Sequence, residues 1–306
     1  MSKKLSKQKL NDIITYGIVI AAFVIMQILI NAGEISSLFQ GLMVPLCTYI
    51  ILAISLNLVV GILGELSLGH AGFMCVGAFT SSFFSKAMQD TITNSTVRFL
   101  LALLIGIITA AIFGIIIGIP VLRLNGDYLA IVTLAFGEII KNLVNVLFIG
   151  KDSKGFHFST KDAVSLNMEP DGKIILNGPQ GITGTPNDST FFIGFILILV
   201  TLFIVLNLIH SRDGRAIMAI RDNRIAAESI GINITKYKLM TFTISAAMAG
   251  AAGVLYAHNL SNLTANTNNF GYNMSINILV FVVLGGIGNI RGSIIAAVVL
   301  TLLPEL

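Results

Sequence analysis

Long blocks of apolar residues, several of them long enough to cross a bilayer, constrain this chain more than any other feature. A helix needs about 20 mainly apolar residues to span the hydrocarbon core of a membrane. Only 11% of the 306 residues are charged, which is too few to coat a soluble domain of this size. The sequence therefore predicts a polytopic membrane protein. Its apolar blocks lie near residues 13–31, 42–63, 66–84, 99–119, 128–149, 191–209, 239–257, 276–287 and 293–304.

The blocks are rich in Leu, Ile and Val and lack the ten-residue alternation that is typical of a membrane β-barrel. We therefore predict an all-α fold, a transmembrane helical bundle with about eight to nine apolar segments, as one domain over residues 1–306. The last two blocks are short and flank "VLGGIGNIRGS". Short blocks are typical of broken or re-entrant segments, so Gly285, Gly286 and Gly288 are candidate broken-helix residues.

The distribution of Lys and Arg predicts the orientation of the bundle. With the N-terminus in the cytoplasm, twelve of these residues fall in inside loops and six in outside loops. Cytoplasmic loops of membrane proteins carry such an excess. This orientation makes the long loop 150–190 extracytoplasmic and the long loop 210–238 cytoplasmic. Because the Lys and Arg residues lie beside apolar blocks, with no basic face, we expect no nucleic-acid partner.

The cytoplasmic loop contains "GRAIMAIRDNRIAAESIG", which has helix-forming composition and no proline. We predict one short helix there, which Gly231 ends. Its apolar residues would form a surface that docks elsewhere; they are Ile217, Met218, Ile220 and Ile225.

Another stretch, "GELSLGHAGFMCVGAF" at residues 64–79, places polar residues and glycines among apolar blocks. Irregular backbone at membrane depth persists only where protein or a water-filled cavity surrounds it. We therefore expect this stretch to line a pathway or to form a broken helix. For His70 alone, a hydrogen-bonded core residue is the competing interpretation. The candidate residues are Gly64, Glu65, Ser67, Gly69, His70 and Gly72.

Polar residues inside the apolar blocks need partners, because each is costly at mid-membrane. Glu138 and Lys141 stand three residues apart and share a helix face. They are either a structural ion pair or residues of a pathway or partner contact. Asn57 is more typical of a hydrogen bond between helices than of a substrate ligand.

Small residues recur every fourth position in two blocks, which predicts two smooth helix faces for close packing. The first set is Gly106, Ala110, Gly114 and Gly118, and the second is Ser245, Ala249, Gly253 and Ala257.

The sequence offers no signature of catalysis. None of the four histidines has a His, Cys or carboxylate partner at metal-ligand spacing, and no glycine-rich stretch has the order of a nucleotide-binding P-loop. Cys47 and Cys75 lie in apolar surroundings and indicate no disulfide framework. We expect no catalytic, metal or cofactor residue in this chain and no enzymatic activity.

Five ordered motifs carry a family resemblance: "GELSLGHAGFMCVGAF", "GDYLAIVTLAFGEII", "GPQGITG", "SRDGRAIMAIRDNRIAAESIGI" and "LVFVVLGGIGNIRGSIIAA". Over residues 40–304 the chain resembles the M-type permease subunit of branched-chain amino-acid ABC importers. The resemblance implies a bacterial or archaeal inner-membrane protein that translocates small hydrophobic amino acids. It also implies a second homologous permease, two ATPase subunits that bind the ATP, and an extracytoplasmic substrate-binding protein as partners.

The resemblance implies that the cytoplasmic loop docks the ATPase. Family members carry an Ala pair followed four residues later by Gly, and Ala226, Ala227 and Gly231 fit that spacing. The acidic residue expected before the pair is absent, since Arg224 and Ile225 stand there. Docking would then rest on shape and on Arg215, Arg221 and Asp222.

The resemblance also bears on the end of the sequence, "AAVVLTLLPEL". Family members usually continue through a charged linker and another apolar segment. We therefore expect either a truncated sequence or an unusually short natural variant.

Three alternative functions stay open. A related permease of the same family for urea or short amides has overlapping motifs. An ion-coupled secondary transporter would work without ATP, and would be supported by intramembrane carboxylates beyond Glu138. An inert membrane scaffold would transport nothing in any reconstitution.

Overall fold

The computed structural model describes residues 7–32, 36–122, 127–170 and 172–305 of the chain. The fold is predominantly helical, as the apolar blocks predict. Its helices are α1 (Lys7–Ala32), α2 (Ser37–Asn57), α3 (His70–Ala87), α4 (Ser95–Val121), α5 (Asp127–Val146), α6 (Phe191–His210), α7 (Arg212–Asp222), α8 (Arg224–Ser229), α9 (Ile234–Ala257), α10 (Thr267–Phe270), α11 (Tyr272–Gly285) and α12 (Ile290–Leu302).

Among the described residues, six helices are long and apolar enough to cross a membrane. They are α1, α2 with the turn that follows it, α4, α5, α6 and α9. The helices α3, α11 and α12 are shorter, with 18, 14 and 13 residues. The prediction of a polytopic bundle with some broken segments is confirmed.

Short strands were absent from the sequence-based prediction. Antiparallel β2-β1-β3 form one sheet and β4-β5 a second, both beside the ends of α3, α5 and α9. We call this end of the bundle the sheet side, and the end that carries α7 and α8 the coupling side. The strands are β1 (Phe148–Asp152), β2 (Gly155–Ser159), β3 (Lys173–Asn177), β4 (Ile182–Thr183) and β5 (Asn262–Leu263).

The core forms around α9, which packs against both α3 and α4. A Cβ atom added at Gly114 of α4 would lie 2.8 Å from the Ala246 Cβ of α9. On α9, a Cβ added at Gly253 would lie 2.1 Å from the Met74 carbonyl oxygen of α3. The predicted small-residue faces are therefore confirmed as packing surfaces, because they allow the helix backbones to approach closely.

Candidate functional site

A π-helical turn follows α2 on the coupling side and starts the irregular segment that the sequence singled out. The turn covers Leu58–Leu63, and all six of its residues are buried. Gly64 ends it with φ of +80°, a left-handed conformation that glycine adopts without strain. Residues 64–69 then form no helix until α3 begins at His70. Irregular backbone therefore lies at residues 64–69 of the predicted stretch, whereas the candidates His70 and Gly72 lie in the first turn of α3.

Two neighbouring helices hold this segment in place. Glu65 forms an ion pair with Lys238 of α9, and their side chains are 15% and 4% exposed. The backbone N–H of Leu68 donates to the Thr133 hydroxyl of α5 at 3.0 Å. A Cβ atom at Gly69 would lie 2.4 Å from the Thr133 carbonyl oxygen, so the segment approaches α5 as only glycine permits.

The helix start at His70 packs closely as well. A Cβ atom at Gly72 would lie 2.7 Å from the Gly137 Cα of α5. The backbone N–H of Ala71 donates to the Ser275 hydroxyl of α11 at 3.2 Å. The start of α3 is therefore enclosed by α5 and α11.

His70 is 1% exposed and takes part in a chain of hydrogen bonds. The Ser245 hydroxyl donates to the Ser55 carbonyl at 2.5 Å and lies 3.0 Å from His70 Nε2. Because Ser245 has one proton to donate, His70 Nε2 carries the N–H that Ser245 accepts. Among the described residues, His70 Nδ1 and the Ser67 hydroxyl have no hydrogen-bond partner. His70 is therefore a buried residue with one hydrogen-bonded ring nitrogen, Nε2. The interpretation of His70 as a hydrogen-bonded core residue explains this nitrogen but leaves Nδ1 without a partner among the described residues.

The glycines between α11 and α12 lie against the π-helical turn. Gly286 and Gly288 have φ of +94° and +82°, and a Cβ at Gly285 would lie 2.3 Å from the Gly292 carbonyl carbon. The Asn57 side chain bridges the break, since it accepts from the Gly288 N–H at 2.9 Å and donates to the Ser293 hydroxyl at 2.8 Å. The interpretation of Asn57 as a hydrogen bond between helices is confirmed.

The structure corrects the prediction of a single helix in the cytoplasmic loop. Asn223 separates α7 from α8 in an extended conformation, with φ of −156°. Its side chain accepts from the Ala226 N–H at 3.0 Å. Asparagine favours this capping position because its side chain replaces a backbone partner. Gly231 follows α8 with φ of +85°, in agreement with its predicted role as a helix stop.

The apolar residues of this loop divide between the chain's own core and the surface. Ile217 and Ile220 are buried, so they do not form a docking surface, contrary to prediction. Ala227 packs with Ile220 and Ile234, whereas Ala226 is exposed. By contrast, Ile225 of α8 and Ile230, which directly follows α8, are 81% and 74% exposed.

The charged candidates of the loop also differ in their contacts. Arg221 donates from Nη1 to the Gly61 carbonyl of the π-helical turn at 3.0 Å, and from Nη2 to Asp222 at 2.9 Å. Its side chain packs so tightly on Gly64 that a Cβ there would lie 2.5 Å from Arg221 Cγ. Arg215 donates to the nearby His210 carbonyl at 3.2 Å. Arg221 thus links α7 to the π-helical turn inside the helical bundle. Among the described residues, Arg215 forms hydrogen bonds only with residues close to it in sequence.

Glu138 and Lys141 form an ion pair with an N–O distance of 2.5 Å. Lys141 also lies 3.2 Å from the Thr267 hydroxyl, and Glu138 accepts from the Tyr272 N–H at 2.8 Å. The pair therefore anchors α10 and the start of α11 to α5. These contacts fit the structural alternative for the pair.

The sequence did not single out Lys238 as a site residue. Its partner Glu65 lies 173 positions earlier in the chain, so no local pattern relates the two. Among the described residues, no group of His, Cys, Asp and Glu has the arrangement of a metal site.

Comparisons with known proteins agree with one another. The family described as "Branched-chain amino acid transport system / permease component" matches residues 37–306. The chain is 36% identical over 267 residues to the high-affinity branched-chain amino acid transport system permease protein LivM of Escherichia coli. The aligned region covers 84% of this chain and 61% of LivM. The chain therefore spans about three fifths of the length of this relative.

Two more distant relatives are also permease proteins by their names. The fructose import permease protein FruG of Bifidobacterium longum is 27% identical over 90% of this chain and 76% of its own length. The high-affinity branched-chain amino acid transport system permease protein LivH of Salmonella typhimurium is 27% identical over 83% of this chain and 79% of its own. No solved structure matches the chain.

Proposed function

Because the chain belongs to the family of branched-chain amino acid transport system permease components, we propose that it is the membrane permease subunit of an ATP-driven importer of branched-chain amino acids. The 36% identity with LivM supports this substrate class. The protein is a multi-pass membrane protein, and we place it in a bacterial or archaeal inner membrane with its N-terminus in the cytoplasm. No enzymatic activity is proposed for this chain.

The partners follow from the same proposal. LivM and LivH are both permease proteins of one named system, and this chain is similar to each. We propose a second, homologous permease beside this chain, two ATPase subunits that bind the ATP, and an extracytoplasmic binding protein that delivers the amino acid.

The observation that carries the proposal is the contact between Arg221 and the π-helical turn. An importer of this kind must convert a movement of its ATPase into a movement of its membrane helices. Ile225 lies in α8 and Ile230 directly follows it, and both are exposed and apolar, which suits contact with an ATPase subunit. Arg221 then connects α7 to Gly61, and Gly61 packs on Gly288 at the break between α11 and α12.

This arrangement divides the residues predicted to dock the ATPase into two roles. Ala226 and Arg215 are exposed and belong, with the exposed Ile225 and Ile230, to the surface that the ATPase would contact. Arg221, with Asp222 and Gly64 beside it, is a positioning residue that transmits the displacement of α7 to residues 58–69. Substrate and ATPase can drive transport only if they stabilise different arrangements of these helices.

Reconstitution with both ATPase subunits, the second permease and the binding protein tests this division. We expect Arg221→Gln to retain ATPase binding but to lower leucine uptake about tenfold, because it loses a hydrogen bond from a charged donor. Ile225→Ser with Ile230→Ser should weaken ATPase binding itself. The matched control is Arg212→Gln, at the exposed start of α7, and it should stay close to wild type. Equal uptake by Arg221→Gln and Arg212→Gln would contradict the positioning role.

The same vesicles separate the alternative functions. ATP-dependent uptake of leucine supports the proposal, whereas uptake of urea or of fructose instead would assign another substrate to the same fold. Accumulation without ATP would indicate an ion-coupled secondary transporter, and no uptake of any solute would indicate a scaffold.

Labelling tests the proposed orientation. Thr160 and Ile225 are exposed on opposite sides of the bundle. A cysteine at residue 160 should react with an impermeant thiol reagent in intact cells, and a cysteine at residue 225 only after permeabilisation. The reverse result would invert the topology.

A further inference from the structure

An open cavity of about 630 Å³ enters the bundle from the sheet side, between α2, α11, α12 and the end of α9. We call it the vestibule. The side chains that line it carry amides, hydroxyl groups and apolar groups, and none is an acid, a lysine, an arginine or a histidine. Its polar lining includes Tyr49, Tyr256, Asn259, Asn268 and Asn277.

Asn277 on α11 indicates that this cavity is not a groove filled by lipid. Its side chain is exposed, and no hydrogen bond joins its amide to another described residue. By contrast, the exposed Asn207 on α6 donates to the Phe203 carbonyl of its own helix at 2.8 Å. An amide without a partner is costly in hydrocarbon. Asn277 therefore faces water or another protein.

The depth of Asn277 strengthens this argument. The first N–H of α11, at Tyr272, donates to Glu138, which precedes the last residue of α5 by eight positions. At about 1.5 Å per residue, α11 thus begins roughly 12 Å inside the sheet-side end of α5. Asn277 lies five residues further along α11, which runs toward the coupling side. This places Asn277 well inside the span, where the water-rich membrane surface cannot hydrate it.

The segments that the sequence predicted to line a pathway make close contacts with their neighbours instead. Residues 64–72 and the break at 285–288 are packed against α5, α9 and the π-helical turn. The vestibule instead runs inward from Asn259 to Tyr49 and Phe281, whose ring centroids are 6.1 Å apart. These two aromatic rings are the deepest lining residues on α2 and α11, counted from the sheet side.

We propose that the vestibule is the extracytoplasmic half of the translocation pathway, and that the second permease covers the open face of α11 at Asn277. This inference rests on the proposed function. The lining fits a small solute with no net charge that has polar and apolar parts, as a zwitterionic amino acid with an aliphatic side chain does. Amides and hydroxyls supply donors and acceptors, and Met274, Phe281 and Leu300 supply apolar contacts.

Cysteine accessibility in the assembled importer tests the proposal. The background is Cys47→Ala with Cys75→Ala, since both native cysteines are buried. We expect Asn277→Cys to react with a small impermeant thiol reagent at least about tenfold faster than Ile108→Cys, a residue 55% exposed on the apolar face of α4. Leucine with its binding protein should slow the reaction at residue 277. Equal, slow reaction at both positions would overturn the proposal.

Uptake by two variants gives an independent readout. Asn277→Gln keeps an amide and should retain most leucine uptake, whereas Asn277→Leu should lower it several-fold with the complex still assembled. If residue 277 faced lipid, Asn277→Leu would transport as wild type. Absence of ATP-driven leucine uptake in the unmodified importer would defeat the proposed function, while normal uptake with an unreactive Asn277→Cys would defeat this inference alone.

Discussion

A buried ion pair between Lys238 and Glu65 fastens the irregular segment to α9. The Lys238 side chain is 4% exposed, so its ammonium group has left water almost completely. A buried charge whose partner is removed is strongly destabilising, whereas replacing both charges is often nearly neutral. The pair therefore fixes the position of residues 64–69 more than it adds net stability.

Lys238→Met should reveal this dependence. We expect the single variant to lose about 3–5 kcal/mol of unfolding free energy, because Glu65 stays behind without its partner. The double variant Lys238→Met with Glu65→Gln should recover most of the loss. Thermal unfolding in one detergent measures both.

Lys173→Met provides the matched control. Its pair with Asp90 is exposed, with side chains 71% and 75% accessible, so the change should be within about 1 kcal/mol. A Lys238→Met protein as stable as Lys173→Met would contradict the structural role of the buried pair.

At the scale of secondary-structure elements, the helices α3, α4 and α9 approach one another closely at glycines. A Cβ atom at Gly77 of α3 would lie 2.3 Å from the Gly250 carbonyl oxygen of α9. A Cβ at Gly106 of α4 would lie 2.3 Å from a methyl carbon of Val254 and 3.1 Å from the Gly77 carbonyl oxygen. At Gly77 the three nearest atoms all belong to the Gly250 backbone, so no flexible side chain can move aside there.

Gly77→Ala should therefore destabilise the bundle by about 1–3 kcal/mol through overpacking. Gly17→Ala on α1 is the matched control, because nothing lies within 4 Å of its added Cβ. That variant should gain roughly 0.5–1 kcal/mol, since alanine has a lower conformational entropy cost in a helix. Urea or thermal unfolding measures both, and a stable Gly77→Ala protein would contradict the close approach.

At the scale of the whole molecule, the stability of the loop on the sheet side depends on charged side chains. Glu169 accepts hydrogen bonds from Lys154 at 2.7 Å and from Ser153 at 2.6 Å. The bond from Lys154, followed by that from Ser153, lowers the pKa of Glu169 below its ordinary value of 4.5. Because the folded pKa is lowered, this stabilisation is present above the unfolded pKa and is lost as the pH falls through the folded pKa.

We expect acid to loosen loop 148–190 before it unfolds the membrane helices. Hydrogen exchange between about pH 5 and pH 3 should show faster opening of this loop, after correction for intrinsic exchange rates. Glu169→Gln should make the loop less dependent on pH in this range. Glu228→Gln on the coupling side should leave the loop unchanged. Identical pH profiles of wild type and Glu169→Gln would contradict the argument.

Sequence alone determined the membrane-spanning helices, the two small-residue faces, the break after Gly285 and the stop at Gly231. These features follow from hydropathy, from four-residue periodicity and from the backbone freedom of glycine, which are properties of short stretches of chain. Family membership was also accessible, because ordered motifs such as "GELSLGHAGFMCVGAF" are local patterns.

Only the tertiary structure decided which polar groups meet. The bonds of Arg221 to Gly61, of Lys238 to Glu65 and of Asn57 to Gly288 join residues between 160 and 231 positions apart. The separation of α7 from α8 at Asn223 and the vestibule beside Asn277 likewise depend on how the helices pack. Such contacts arise from the simultaneous burial of distant segments, and no periodicity along the chain encodes them.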